Sequence, residues 1–442
     1  MILPDQARQW KASSEGELLV GGLTVSSLVD KYGTPLFIYD HEIVERQYRA
    51  LRSALPSRFS ISYSVKANPN PAILAFFLEQ GCGLEIASAG EFQLSMAAGC
   101  VPADIIFAGP GKTDAELKLV ISREIGEIHA ESPLEIERIS RISRELGVRT
   151  RVALRINPNE DAQGGAMRMG GRSAPFGVDE EQMDALIRVI VNDPHLDFYG
   201  IHLFAGTQIL DASVLLAQYK KALQIAKRAA IITERPIRTV DFGGGLGVPY
   251  FSGETALDLD RLRSGFIDLM SNIDSDAYFA KANFIVEPGR LLVAQAGVYV
   301  ACVIDVKVSR GKKFLILDGG MNHHLAASGN LGQVIKRNFP MAVVNRFHAD
   351  SSETVDVVGP LCTPLDTLGR SVTLATAKAG DLIGIFCSGA YARSASPLDF
   401  LSHATPPEVW IEAGEDFLIR RRGVADDYLR DVQFIRACQS AL

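Results

Sequence analysis

Several chemistries lack the residues that they need in this 442-residue chain. The six cysteines are scattered and form no CxxC pair, which argues against a thiol redox motif and against a cysteine zinc site. The eight histidines include the adjacent His323 and His324 but no HExxH motif. The sequence therefore predicts reduced thiols and no metal centre.

Long apolar runs and an excess of positive charge are also missing. The longest nearly apolar stretch, residues 291–304, is interrupted by Gln295 and is shorter than the roughly 20 residues that cross a bilayer as a helix. The N-terminal residues show no signal-peptide pattern. A net charge of -7 argues against an electrostatic grip on nucleic acid or on a membrane. These features predict a cytoplasmic protein.

What the chain does contain is a repeating pattern of strands and helices. Hydrophobic residues at 47% and charged residues at 22% are typical of globular proteins. Short apolar runs alternate with amphipathic stretches of helical length, which indicates repeated βα units and a parallel sheet. Eight strands are predicted, namely residues 60–66, 84–87, 105–108, 127–130, 152–156, 199–204, 240–242 and 284–287.

The pattern changes after Arg290. Runs such as VYVACVIDVKVS and KKFLILDGG are apolar or alternating and are separated by turn residues, which is typical of an all-β domain. The sequence predicts a (β/α)8 barrel over residues 36–289, followed by a C-terminal all-β domain. We expect residues 1–35 and 290–442 to form that β domain and to contribute to an active site and a dimer interface.

Residues of types that act in catalysis or bind ligands follow several predicted barrel strands, and the active sites of barrel enzymes lie at those strand ends. Lys66 closes the first strand among small and apolar residues, and a partly desolvated lysine is a competent Schiff-base amine. A solvated surface lysine is the alternative reading. Gly243, Gly244 and Gly245 follow the seventh strand, where backbone N–H groups can curl round a phosphate, although glycines also make plain tight turns.

Further candidates lie at the sixth and eighth strand ends. Glu287, in the sequence FIVEPGR, could hold a ring nitrogen of an aromatic heterocycle protonated and so make the ring an electron sink. An ion pair with Arg290 at a domain boundary is the other reading. Phe204 could cover a flat cofactor, and the Thr207 hydroxyl could bond its phosphate.

These motifs together resemble the alanine-racemase-fold pyridoxal-phosphate decarboxylases, the family of diaminopimelate, ornithine and arginine decarboxylases. The resemblance covers roughly residues 25–405 and keeps the family's order of motifs, including GPLC and GAY in the β domain. It implies pyridoxal 5′-phosphate as cofactor and a homodimer with shared active sites. The catalytic residues that it implies are Lys66, Glu287 and Cys362. The cofactor-binding residues that it implies are Lys66, Arg155, Phe204, Thr207, Gly243, Gly244, Gly245, Glu287, Gly289, Arg290 and Tyr391.

Two departures from the family pattern concern the stacking on the cofactor ring and the distal end of the substrate. Phe204 stands where the resemblance leads one to expect a histidine, and Thr363 follows Cys362 where an acidic residue is expected. A free distal ammonium would therefore lose its carboxylate partner. We expect a modified, acylated or carrier-protein-linked amino acid as substrate. The expected substrate contacts are Arg290, His323, Arg337, Thr363 and Asp366.

Three alternatives remain open from the sequence. One is a diaminopimelate decarboxylase of lysine biosynthesis. Another is a pyridoxal-phosphate-dependent amino-acid racemase, which Glu287 disfavours because racemases place an arginine at the ring nitrogen and so make a shallower electron sink. The third is a protein that binds the cofactor without catalysis. Release of carbon dioxide distinguishes any decarboxylase, including the one expected here, from the racemase.

Overall fold

Eight parallel strands close into a barrel, as predicted. The computed structural model describes residues 4–159, 167–168, 173–204, 206–331, 333 and 335–433. Each barrel strand pairs with the next, and the eighth strand pairs with the first, so that Val286 lies opposite Ile61. In barrel order the strands are Phe59–Ser64, Gly83–Ile86, Ile105–Phe107, Glu127–Ala130, Thr150–Asn157, Leu196–Leu203, Thr239–Asp241 and Asn283–Val286.

A helix follows each barrel strand, and most of these helices begin at a polar capping residue. The side chain of Ser132, for example, accepts from the backbone N–H of Glu135, which satisfies one of the donors left free at a helix start. The Thr113 helix begins with a full capping box that involves Glu116. The helices are Pro71–Glu79, Ala89–Ala97, Asp114–Ser122, Pro133–Leu146, Met183–Asn192, Ala212–Thr233, Leu259–Ser271 and Arg290–Val293.

An aromatic cluster fills the space between strands and helices on one side of the barrel. The ring of Phe59 lies 5.6 Å from that of Phe242, 4.7 Å from that of Phe266 and 5.3 Å from that of Phe284. Tyr219 packs on Phe242 at 4.8 Å. Offset and edge-on contacts at such distances stabilise a core beyond their buried area, so this cluster anchors the first, seventh and eighth strands.

The chain divides into two compact units, one made of residues 44–249 and 253–294 and the other of residues 1–43, 250–252 and 295–442. The first contains the barrel. The sequence predicts a barrel that begins at residue 36, but the strand Leu36–Asp40 pairs with Gly297–Ser309 and Glu408–Glu412 in the second unit. Its five residues are all buried. The strand therefore lacks the alternation of apolar and polar residues that is typical of a sheet with one face in water, and it resembles a buried barrel strand.

The second unit is built mainly on one sheet. Its strands, in sheet order, are Thr367–Leu374, Glu353–Val358, Lys312–Leu317, Gly297–Ser309, Leu36–Asp40, Glu408–Glu412 and Glu415–Arg420. Leu382–Ile385 also pairs with Gly297–Ser309 and with Met341–Val343. A small sheet of Lys11–Ala12, Leu18–Val20 and Leu23–Thr24 precedes the helix Val25–Tyr32. The β-rich character predicted after Arg290 is therefore confirmed.

Candidate active site

Lys66 lies just past the end of the first barrel strand and pairs with a buried carboxylate. Its Nζ is 3.0 Å from Glu85 Oε1 and 2.9 Å from Glu85 Oε2. The Glu85 side chain is 2% exposed, whereas that of Lys66 is 47% exposed. Burial alone would raise the pKa of Glu85, but the Lys66 charge and a hydrogen bond from Ser64 hold it below its ordinary value. The second strand thus positions the amine through Glu85.

Glu287 lies at the end of the eighth strand among other buried ionisable groups. Its Oε2 is 3.6 Å from His202 Nε2, and its Oε1 has no hydrogen-bond partner among the described residues. Burial and the neighbouring Asp241 carboxylate raise the pKa of Glu287 well above its ordinary value. Burial also raises the pKa of Asp241 to about 6. Two adjacent buried carboxyl groups cannot both ionise easily, so this end of the barrel retains a proton.

Two histidines extend this buried group. His129 Nδ1 is 2.8 Å from His202 Nδ1, and His129 Nε2 is 3.2 Å from Glu127 Oε1. Burial lowers the pKa of His202 well below its ordinary value, and the charges of Arg155 and Lys66 act in the same direction. Ligand atoms of one set of four residues lie within 4.8 Å of one another, a spacing compatible with a metal ion. These residues are His129, His202, Asp241 and Glu287.

The glycine loop after the seventh strand lies against Phe204 and Glu287. Gly243 has a φ of 67°, and a Cβ there would stand 2.9 Å from the Phe204 ring. A Cβ on Gly244 would stand 2.5 Å from the Glu287 carbonyl oxygen. The loop therefore cannot carry side chains at these positions, and it brings backbone amide groups to the strand ends. Gly243 N–H donates to Asp241 Oδ1 at 2.7 Å.

Arg155 is held beneath Phe204 by a buried acid. Its Nη1 donates to Glu131 Oε1 at 2.7 Å, and its guanidinium lies 5.8 Å from the centroid of Phe204 and 5.3 Å from that of Phe176. Glu131 also accepts from the backbone N–H of Gly109 and of Gly177. The guanidinium is thus fixed in a cation–π position, which aligns it with the face of Phe204.

Three other residues predicted to bind the cofactor follow the sixth and eighth strands closely in the sequence. Thr207, half-buried, stands opposite Met167 in a short antiparallel pair. Gly289 carries no side chain because a Cβ would lie 2.7 Å from that of Ala67, next to Lys66. Arg290, half-buried, begins the helix Arg290–Val293.

The remaining predicted site residues belong to the sheet-rich unit. Cys362 is exposed, and the Thr363 hydroxyl accepts from the Leu365 N–H at 3.3 Å. Tyr391 is half-buried with a φ of 53°. The Oδ1 of Asp366 accepts from Met321 N–H at 2.6 Å and its Oδ2 from Leu361 N–H at 2.9 Å, and its contact with the substrate stays a prediction. Both carboxylate oxygens of Asp366 therefore anchor backbone.

His323 and Arg337 occupy different environments within this unit. His323 is 1% exposed, and its Nδ1 lies 3.2 Å from the Tyr299 hydroxyl. This burial differs from the expectation of a side chain that lines a wide mouth. Arg337 is exposed, and its guanidinium stacks 3.7 Å from the centroid of Phe251. Substrate contact by either residue stays a prediction.

Several members of the barrel site are not among the residues predicted from the sequence. Glu85 and His129 both lie within short barrel strands, so a search restricted to the residues at strand ends does not find them. Glu131 and Asp241 do stand at strand ends, in the sequences HAES and VDFG, and a search for every acidic strand-end residue would have found them. The pairing of His129 with His202 had no signal along the chain, because 73 residues separate them.

A closed parallel barrel with a lysine–carboxylate pair and a buried glutamate at its strand ends has the architecture of fold type III pyridoxal-phosphate enzymes. The sequence model of the family "Pyridoxal-dependent decarboxylase, pyridoxal binding domain" matches residues 41–294 of this chain. The chain therefore belongs to the pyridoxal-dependent decarboxylases, and it is a carboxy-lyase that uses pyridoxal 5′-phosphate. The resemblance stated from the motifs is confirmed.

Individual relatives cover nearly the whole chain. The L-glutamyl-[BtrI acyl-carrier protein] decarboxylase of Niallia circulans is 39% identical over 411 residues, which are 91% of this chain and 94% of the relative. A diaminopimelate decarboxylase of Zymomonas mobilis is 31% identical and covers 95% of this chain and 97% of its own. The diaminopimelate decarboxylase structure from M. jannaschii superposes with a TM-score of 0.88 at 27% identity, covering 96% of this chain and 98% of its own.

The barrel residues fit the cofactor. Glu287 Oε1 is a buried acceptor without a partner among the described residues, and a ring N–H is the kind of donor that would satisfy it. The loop at Gly243 and Gly244 leaves room only for backbone, as a phosphate cradle requires.

Among the described residues, no helix is both long enough and apolar enough to span a membrane.

Proposed function

We propose that this enzyme removes the α-carboxylate of an amino acid whose distal end is joined to an acyl group or to a carrier protein. The observation that carries this proposal is that the Asp366 carboxylate binds backbone groups of its own loop. Its two oxygens accept backbone N–H groups of Met321 and Leu361, so the only acid of the segment from Gly359 to Thr367 is engaged in holding the loop.

A free diamino acid would be poorly matched to this loop. Its distal ammonium needs a carboxylate when it leaves water, and an unpaired buried charge costs several kcal/mol, of order 3–5. Thr363 offers a hydroxyl that already accepts from Leu365 N–H. A distal end that is an amide or a thioester carries no charge and avoids this cost.

The chemistry of the reaction fixes where such a group is attached. Loss of the α-carboxylate requires that carboxylate to be free, so any carrier link must lie at the other end of the substrate. The relative at 39% identity acts, by its name, on an L-glutamyl group on an acyl-carrier protein. Glutamate can be linked through its side-chain carboxylate and still present a free α-amino acid.

In the proposed mechanism each barrel residue has one task. Lys66 would bind the cofactor aldehyde through its amine, which Glu85 orients. Glu287 holds a proton at the ring nitrogen, and the backbone at Gly243–Gly245, with Tyr391 and Thr207, binds the phosphate. When bound, pyridoxal phosphate supplies an electron sink for the pair left by carbon dioxide.

Arg155 braces Phe204 against the ring face, and Arg290 contacts the phosphate or the substrate. The resemblance further implies a C2 homodimer. We propose that each chain supplies its Cys362 to the site of the other, where the thiol protonates the substrate carbon. The exposure of Cys362 is compatible with that position.

The proposal is tested with purified full-length protein and pyridoxal phosphate. Three substrates are compared, namely a glutamyl or diamino-acid group linked distally to a phosphopantetheine carrier, the same amino acid free, and diaminopimelate. We expect carbon dioxide release mainly from the linked substrate, with a matching loss of mass from the carrier. Turnover restricted to diaminopimelate would contradict the proposal and favour lysine biosynthesis.

A gain-of-function variant tests the distal-site argument. Thr363→Glu restores a carboxylate next to Cys362, and we expect kcat/KM for a free diamino acid to rise about 10-fold to 100-fold, the effect of one charge-assisted hydrogen bond. Thr363→Gln has the same length without the charge and serves as the control. Equal rates for the two variants would refute the distal-site argument.

A basic surface supports delivery by a carrier protein. No Asp or Glu occurs from Gly319 to Ala349, and Lys336 and Arg337 are exposed there beside the exposed Ile335. Asn338 and Arg370 exchange reciprocal hydrogen bonds of 2.7 and 2.9 Å, which adds the exposed Arg370 to the same surface. Positive charge around an apolar side chain complements an acidic carrier surface.

Charge reversal of this surface gives a separate prediction. We expect Lys336→Glu with Arg370→Glu to raise KM for the carrier-linked substrate about 10-fold, because like charges slow association and weaken the complex, and to leave kcat nearly unchanged. The rate with a short acylated substrate should not change. Arg123→Glu, an exposed reversal at the end of the Asp114–Ser122 helix, is the control. An equal KM in the reversed variant and the control would exclude this surface.

A further inference from the structure

His324 is a buried side chain of the sheet-rich unit that the proposed mechanism leaves without a task. It is 0% exposed, and the rings of Phe37, Tyr299 and Phe339 lie 6.1, 5.8 and 5.4 Å from its own. Burial lowers the pKa of His324 to about 3, so the ring is neutral at physiological pH. A neutral imidazole has one N–H donor and one acceptor nitrogen, and His324 uses both.

The hydrogen bonds of His324 fix which nitrogen carries the proton. The backbone N–H of Ala327 donates to Nδ1 over 3.2 Å, so Nδ1 holds the lone pair and Nε2 holds the proton. Nε2 lies 2.9 Å from the Ser388 hydroxyl oxygen, and that hydroxyl donates to the Ile385 carbonyl oxygen at 2.8 Å. His324 therefore donates to Ser388, whose own proton is already used.

Leu325, the next residue in the chain, binds the same segment at a second point. Its backbone N–H donates to the Ser396 hydroxyl at 2.9 Å, and that hydroxyl donates to the Ala392 carbonyl oxygen at 2.5 Å. Ser388 precedes Tyr391 by three residues, and Ala392 follows it directly. Two adjacent residues therefore hold the chain on both sides of Tyr391.

Tyr391 needs such support because its backbone is strained. Its φ of 53° lies in the left-handed region, where the Cβ of a tyrosine crowds the backbone. Residues in this conformation persist only where the surrounding contacts hold them, and they cluster at ligand-binding sites. The Ser388 N–H also donates to the Gly297 carbonyl oxygen at 2.9 Å, so both the backbone and the side chain of Ser388 are fixed at the start of this turn.

We propose that His324 is a positioning residue for the cofactor phosphate, because its hydrogen bond to Ser388 holds the turn that presents Tyr391. The inference rests on the role of Tyr391 in the proposed function. His324 acts through Ser388 and the backbone that follows it, so its effect should be confined to the phosphate end of the cofactor.

Pyridoxal, which lacks the phosphate, separates phosphate binding from the other contacts of the cofactor. Kd is measured for pyridoxal phosphate and for pyridoxal by titration of the visible absorbance, with full-length protein freed of bound cofactor. The ratio of the two constants is the phosphate preference. In Ser388→Ala we expect this preference to fall about tenfold, the upper end of what one hydrogen bond contributes, while Kd for pyridoxal stays as in the wild type.

Two substitutions of His324 form a matched pair, because each replaces one ring nitrogen. The amide nitrogen of glutamine reaches about as far as Nε2, so His324→Gln keeps the donor to Ser388 and should retain the wild-type preference. The amide of asparagine reaches only as far as Nδ1, so His324→Asn keeps the acceptor for Ala327 N–H and loses the donor. Its preference should fall about tenfold. Adding Ser388→Ala to His324→Asn should cause no further fall, since both remove the same bond.

Tyr391→Phe tests the last step of the argument. Loss of the hydroxyl should itself lower the phosphate preference. In the Tyr391→Phe background, Ser388→Ala and His324→Asn should each change the preference less than about twofold, because the contact that they position is already absent.

Three results would overturn the inference alone. They are equal phosphate preferences in the wild type, Ser388→Ala and His324→Asn, equal losses of affinity for both compounds, and a fall in His324→Gln as large as in His324→Asn. Ser388→Ala, Tyr391→Phe and their double variant remain decisive if the variants of His324 do not fold.

The inference and the proposed function can fail separately. An unchanged preference in Tyr391→Phe would overturn the phosphate role of Tyr391 and the inference with it. The expected preferences without any release of carbon dioxide would support the inference about His324 and overturn the proposed decarboxylation alone.

Discussion

Lys66→Ala should abolish covalent attachment of pyridoxal phosphate and reduce kcat by at least about 10³-fold. The reason is that, in the proposed function, the amine at the first strand end would be the nucleophile that binds the cofactor aldehyde. The measurements are the visible absorption band of the bound cofactor, the mass of the protein after borohydride reduction, and carbon dioxide release.

The control for Lys66→Ala follows from its partner. Removal of the ammonium leaves Glu85, with a side chain 2% exposed, without its cation, and a buried charge that loses its partner destabilises the fold. Lys66→Ala combined with Glu85→Gln removes that charge, so the double variant should unfold near the wild-type temperature and still lack the cofactor band. Cofactor that stays covalently bound in either variant would refute the assignment of Lys66.

Glu287→Gln should lower kcat about 10²-fold to 10³-fold while cofactor binding persists. Glutamine keeps the length of the side chain but cannot hold a proton at the ring nitrogen, so the electron sink becomes shallower. Asp241→Asn changes the neighbouring carboxyl group and serves as a comparison. We expect a smaller loss in Asp241→Asn, and equal losses would place the ring nitrogen elsewhere.

The same substitution should stabilise the protein in the absence of cofactor. Burial raises the pKa of Glu287 above its ordinary value of 4.5 in the folded state, so the folded chain binds more protons than the unfolded chain above that pH. Stability therefore falls as pH rises from about 4.5, and Glu287→Gln removes this loss. Denaturant unfolding from pH 5 to 8 should show a gain in the free energy of unfolding that grows with pH. A variant that is less stable at pH 8 would contradict the burial argument.

Much of the barrel can be read from the sequence because its strands are short, apolar and buried on both faces. Every predicted barrel strand overlaps an observed strand, from Phe59–Ser64 to Asn283–Val286. Residues directly after such strands lie at one end of the barrel, which is why Lys66, Gly243 and Glu287 could be proposed together from their positions alone.

Other features needed contacts between distant segments. Leu36–Asp40 lies within the range predicted for the barrel, yet it pairs in the sheet of the other unit, and no local pattern of its five buried residues indicates which sheet it joins. Asp366 stands in a loop where the sequence predicts a contact with the substrate, and only the structure shows that its oxygens also accept from the backbone N–H groups of Met321 and Leu361. His323 has a polar ring that is compatible with either a surface or a core.

The sequence by itself determined the closed barrel, the family and its cofactor, because strand periodicity and the motifs after each strand are local properties of the chain. The tertiary structure alone decided which charges meet. Glu85 with Lys66, Glu131 with Arg155, and His129 with His202 come from different strands, and only closure of the barrel brings them within hydrogen-bonding distance. The protonation of Glu287 also depends on contacts between segments. Burial and the neighbouring charges of Asp241, Glu85 and Lys66, which no single segment contains, set the free energy of a buried proton.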